Sequence, residues 1–98
     1  MTVTRIGEMV ARKGQAEALR VFIETVVVPA LKASDGIQGY HLLQNQIEPN
    51  RFIMIELWDS LEAHQESVKQ IDTKQIEQAK RLLAEMPRGE YFSDNGIL

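Results

Sequence analysis

An α+β fold with its elements in the order βαββαβ is what this sequence predicts, on three observations. Arg51 to Asp59 reads RFIMIELWD, a β-rich run that is apolar at nearly every position. The apolar spacing changes from alternation near the start to threes and fours beyond Gln15, then returns to alternation from Ile37. Short breaks containing Gly, Pro or Asp separate these segments.

Thr2 to Arg12 carries β-branched residues in loose alternation and ends at the turn Lys13-Gly14, which makes it the first strand. Leu19, Phe22, Ile23, Val26, Ala30 and Leu31 then recur on one helical face, with Glu17, Arg20, Glu24 and Lys32 between them. Pro29 cannot donate to the carbonyl of Thr25, so this helix is expected to kink or loosen around Val27 and Val28. Ser34-Asp35-Gly36 stops it, and Ile37 to Ile47 reads as the second strand. Glu48-Pro49-Asn50 is a tight connection that joins strands two and three as a hairpin. Asp59 and Glu62 have the spacing of a capping box, so a short helix is expected there. Ile71-Asp72 marks another start, with Ile76, Ala79, Leu82, Leu83 and Met86 along one face of a helix ending at Pro87. Arg88-Gly89 turns the chain into a short last strand, Glu90 to Ser93.

This order is that of a ferredoxin-like antiparallel sheet whose two crossovers place the helices on one face. On the third strand Phe52, Met54, Glu56 and Trp58 point one way while Ile53, Ile55 and Leu57 point the other. Neither face suits water, and the helices cover only one. A second copy of the chain is the expected cover for the other, giving a homodimer in which two sheets close into an α/β barrel.

Residues 1–98 read as a single domain, long enough to bury about 60–65% of its unfolded surface. A net charge of −3 and a pI near 5.3 leave no basic footprint for nucleic acid. The absence of cysteine removes disulfides and thiolate chemistry. With no secretory apolar core in MTVTRIGEMVARKG and no run long enough to span a bilayer, the expectation is a cytoplasmic protein without a membrane partner. There is no Gly-rich phosphate loop, GxSxG elbow or dinucleotide fingerprint. His41 and His64 lie on separate elements without a spaced carboxylate pattern. Neither a cofactor nor a metal is therefore expected, which leaves chemistry in which the substrate supplies the electrons, or no chemistry at all.

With these residues in view, the chain resembles the antibiotic biosynthesis monooxygenase family, dimeric α/β barrels that include small quinol monooxygenases. The resemblance is carried by GEMVARKGQ (Gly7 to Gln15), DGIQGY (Asp35 to Tyr40) and RFIMIELWDSLEAH (Arg51 to His64). Within the last, Glu56, Trp58 and Ser60 stand where the family has a strand ending in Glu-x-Trp followed by a serine-started helix. The resemblance implies oxidation of a small quinol or phenolic aromatic by molecular oxygen without flavin or metal. Other relatives degrade haem or isomerise small signalling molecules. The haem-degrading members use an asparagine on the first strand, the tryptophan and a helix histidine. Here Met9 takes the asparagine's place, and His64 falls earlier than expected, with Ser67 or Val68 nearer. That counts against haem.

Glu56 and His41 are the candidate bases for removing a phenolic proton. Against this, Glu56 can be a strand-end carboxylate paired with Arg51, Arg5 or a turn N–H, and His41 an ordinary strand histidine. Trp58 is read equally as core or as the wall of a substrate cavity, with Met9, Phe52 and Met54 as further lining. His64 is expected to face solvent unless a turn's rotation brings it over the cavity. Tyr91 or Phe92 is expected to face the cavity or the dimer partner, and Arg88 to attract an anion or to complement a helix end. The leading reading is a cofactor-independent monooxygenase. The rivals are a non-catalytic barrel that holds a small apolar metabolite, or a haem-degrading or isomerase relative.

Overall fold

The first strand lies in the middle of the sheet, and that placement organises the site. The computed structural model describes residues 2–98. Strands β1 (Val3–Val10), β2 (Ile37–Gln44), β3 (Arg51–Trp58) and β4 (Arg88–Phe92) form one antiparallel sheet in the order β2-β3-β1-β4. Helix α1 (Ala16–Phe22), a π-helical stretch at Ile23–Val27 and α2 (Val28–Lys32) make the first crossover, and α3 (Leu61–Val68) and α4 (Thr73–Leu82) the second. This is the ferredoxin-like α+β arrangement that the sequence predicts.

The apolar side chains of one sheet face and the inner face of α1 and α2 make the core. Leu19, Ile23, Phe52 and Trp58 are fully buried there, with Met54 and Leu31 nearly so. Along β3 burial alternates, so Phe52, Met54, Glu56 and Trp58 lie under the helices while Ile53, Ile55 and Leu57 stay half-exposed on the open face. Register places Ile6 beside Ile55 and Leu43 beside Ile53 on that same open face.

Proline acts somewhat earlier than expected. The helix widens at Ile23–Val27, where the Val28 N–H reaches back five residues to the Ile23 carbonyl, and it is α-helical again through Pro29. Since Pro29 offers no N–H to Thr25, accommodation falls in the turn before it. The Thr25 hydroxyl donates to the Val21 carbonyl at 2.7 Å.

Several boundaries differ from the sequence reading, each for a local reason. β2 stops at Gln44 rather than Ile47, because Asn45 Oδ1 accepts from the N–H groups of Ile47 and Glu48 at 2.9 and 2.8 Å and bends the chain. The cap of α3 is Ser60, whose Oγ accepts from the Ala63 N–H at 3.0 Å, whereas Asp59 instead accepts from Gln38. α4 ends at Leu82 because Leu83 turns extended to bridge Ala11, which leaves Met86 outside the helix and largely exposed. Arg88 and Gly89 are the start of β4 rather than a turn, paired with Glu8 and Gly7. Gly36 sits at φ 89°, and a side chain there would approach Ala63 Cβ to 2.8 Å, so the turn into β2 requires glycine.

Candidate functional site

Between the sheet and the helices lies a cavity of about 760 Å³. Phe22, Val26, Val27 and Ala30 form its roof, Ser67, Ile76 and Ala79 one wall, and Arg5, Met9 and Glu56 its sheet floor. The π-helical stretch contributes the consecutive Val26 and Val27 to this roof.

Glu56 is 5% exposed, and its Oε1 accepts the Trp58 Nε1–H at 2.8 Å. Two residues apart on β3, the pair share the helix-facing side. Burial pushes the Glu56 carboxyl above the ordinary carboxylate range, while the Trp58 hydrogen bond and the nearby Arg5 charge pull it partly back.

His64 corrects the expectation of a solvent-facing side chain. The Ser60 cap starts α3 in a phase that turns His64 inward, where it is 8% exposed and lines the cavity. Its Nδ1 lies 2.6 Å from the Tyr91 hydroxyl, and its ring stands edge-on to Trp58 with centroids 5.3 Å apart. Burial, aided by the Arg5 charge, lowers its pKa to about 4, so the ring is neutral near neutral pH and able to accept the Tyr91 proton at Nδ1.

Glu56, Trp58, His64 and Tyr91 are thus brought together through direct contacts, with Met9 on the cavity floor. Phe52 and Met54 are packed in the core on the same side of the sheet without lining the cavity, and the fully buried Trp58 contacts Glu56 and His64. His41 is not brought to this site. Tyr40 is the register partner of Glu56, so the next residue, His41, faces the other side of the sheet beside Ile55. Phe92 and Arg88 likewise fall on the open face, beside Thr4 and Glu8.

Arg5 is the cavity residue that sequence reasoning left among possible ion-pair partners. It is the register partner of both Glu56 and Tyr91, and its guanidinium lies over Gly7 and Gly89. Glycine inside two strands signals close approach by another group, but the signal becomes legible only when register sets the two side by side. Among the described residues, no group of three or more His, Cys, Asp or Glu side chains converges as a metal site. Among the described residues no helix is long and apolar enough to cross a membrane.

The fold is shared with solved structures of low sequence identity. Rv0793 of Mycobacterium tuberculosis is similar at 19% identity and a TM-score of 0.81, over 99% of this chain and 98% of that one. SnoaB of Streptomyces nogalater, a cofactor-independent oxygenase, matches at 18% identity and a TM-score of 0.80, over 99% and 96%. PA3566 of Pseudomonas aeruginosa matches at 25% identity and a TM-score of 0.76, over 97% and 95%. No curated protein matches the sequence. Residues 2–81, which include β1 with Arg5 and Met9, Glu56 and Trp58 on β3, and His64 on α3, match the antibiotic biosynthesis monooxygenase family, and it is to this family that the chain belongs.

Proposed function

We propose that the protein is a cofactor-independent monooxygenase acting on a small quinol or phenolic aromatic. The observation that carries this reading is a desolvated carboxylate, Glu56, on the floor of a largely aliphatic cavity, held in place by the Trp58 N–H. A raised carboxyl pKa brings the base closer to that of a phenol, and a dry site strengthens its pull on the proton. Family membership and the likeness to a cofactor-independent oxygenase support the same chemistry.

In this mechanism Glu56 takes the phenolic proton, and negative charge spreads onto a ring carbon. That carbon gives electrons to molecular oxygen and forms a hydroperoxide. Loss of water leaves a new ring carbonyl, so a phenol and O2 give a quinone and H2O with the substrate supplying all the electrons. The neutral His64, hydrogen-bonded to Tyr91, orients the ring, and Arg5 favours the anion. Glu56 is preferred to His41 as base because only Glu56 reaches the cavity.

We also propose that two copies pair through the open sheet face, covering Ile6, Leu43, Ile53, Ile55 and Leu57. Oxygen consumption with a panel of quinols and naphthols tests the activity. Uptake above the buffer rate for at least one of them is expected, falling about a hundredfold or more in Glu56→Gln. The aliphatic lining also suits the rival reading, a binding protein for an apolar metabolite; tight binding of these ligands with no uptake from any of them would favour it.

A further inference from the structure

Gly7 and Gly89 face each other across β1 and β4 on the helix-facing side of the sheet. The side chain of Arg5 lies across both. A Cβ at Gly7 would come within 2.9 Å of Arg5 Nη1, and one at Gly89 would overlap the guanidinium itself. The two glycines therefore form a trough fitted to that group, and Arg5 itself lines the cavity.

The charge in this trough acts on Glu56 and His64 only at a distance. Among the described residues Arg5 makes no hydrogen bond or ion pair. The other charged groups lining the cavity are engaged. Arg12 donates to the carbonyls of Leu83 and Lys80 at 2.9 and 3.1 Å, Lys80 lies 3.6 Å from Glu77, Glu85 is held by Arg88 at 3.3 Å, and Glu56 is occupied by Trp58. A guanidinium presents five N–H donors in a flat fork, and a planar carboxylate meets two of them at once.

We propose that Arg5 is the seat for a carboxylate carried by the substrate, so that the preferred ligand is a hydroxyaryl carboxylate rather than a neutral quinol. The proposal rests on the reading of the cavity as a substrate site for phenolic aromatics. Because Arg5 and Glu56 are register partners on adjacent strands, a ring whose carboxylate sits on Arg5 offers its hydroxyl in the direction of Glu56. Gly7 and Gly89 then serve specificity, since they keep the charge flat against the floor and leave room for the ring.

The test compares 4-hydroxybenzoate with 4-hydroxybenzamide, nearly equal in shape but different in charge, by calorimetry and by fluorescence of the single tryptophan, Trp58. The unchanged protein is expected to bind the acid about tenfold or more tightly than the amide. Arg5→Met should remove that preference by weakening the acid about tenfold or more beyond any loss for the amide, and Arg5→Lys should keep part of it. Gly89→Ala leaves the charge in the protein but displaces it from its trough, and should also reduce the preference. This second variant carries the test if Arg5→Met does not fold. Equal affinity for acid and amide, no binding of either, or an undiminished preference in Arg5→Met or Gly89→Ala would overturn the proposal. Oxygen uptake is scored separately. An Arg5-dependent acid preference without uptake from any substrate sinks the oxygenase reading alone, whereas uptake without that preference sinks this inference alone.

Discussion

Glu56 and His64 titrate in opposite senses, and the difference is measurable. Glu56 has a raised folded pKa, so above the ordinary value of 4.5 the folded chain keeps a proton that the unfolded chain has lost. Stability should therefore decline as pH rises from about 4.5 through the raised value, and Glu56→Gln should remove that decline. His64 has a folded pKa of about 4 against an ordinary 6.5, so between these values the unfolded chain holds the extra proton. Its contribution is present above 6.5 and is lost as pH falls toward 4. His64→Phe should remove this acid sensitivity while costing about 1 kcal/mol at neutral pH for the lost Tyr91 hydrogen bond. Thermal midpoints of the three proteins between about pH 4 and 8 check both signs. Trp58→Phe should lower the midpoint by roughly 4–8 °C, for about 1 kcal/mol of lost packing and hydrogen bonding. It should also raise the Glu56 pKa further by removing the donor, visible as an alkaline shift of the pH–rate profile.

At the scale of the element, the phase in which each helix starts decides which side chains reach the cavity. Ser60→Ala should cost about 1 kcal/mol in urea unfolding, and Asp59→Ala distinctly less, because the Ala63 N–H is satisfied by Ser60. Equal losses would restore Asp59 as the cap. The strands and helices themselves were legible from apolar spacing, since Leu19, Ile23, Phe52, Met54 and Trp58 are buried where alternation and helical periodicity place them. The inward turn of His64 was not legible, because moving an eight-residue helix start by one position rotates every side chain by about 100°. The seat of Arg5 was hidden for another reason. Gly7 and Gly89 lie far apart in the chain, and only the pairing of β1 with β4 makes them neighbours.

At the scale of the whole molecule, the open face sets the expected assembly. Ile55 lies on that face between Ile6 of β1 and His41 of β2, so Ile55→Asp should place an unpaired charge in the sheet-to-sheet contact, at a cost on the order of several kcal/mol. Sedimentation should show a dimer for the unchanged protein at micromolar concentration and a monomer or unfolded chain for the variant. A stable monomer of the unchanged protein would remove the dimer.

The central position of β1 also sets a timetable. β2 and β3 can pair as soon as both exist, but β1 must wait for β3, beginning at Arg51, and for β4, beginning at Arg88. A nascent chain that has closed its first three strands can place Met9 beside Phe52, yet it has no Gly89 beneath Arg5 and no Tyr91 against His64. The last strand to be made completes these contacts, so if the cavity is a ligand site as proposed, ligand should bind productively only to chains that have finished folding and should draw late intermediates toward that state.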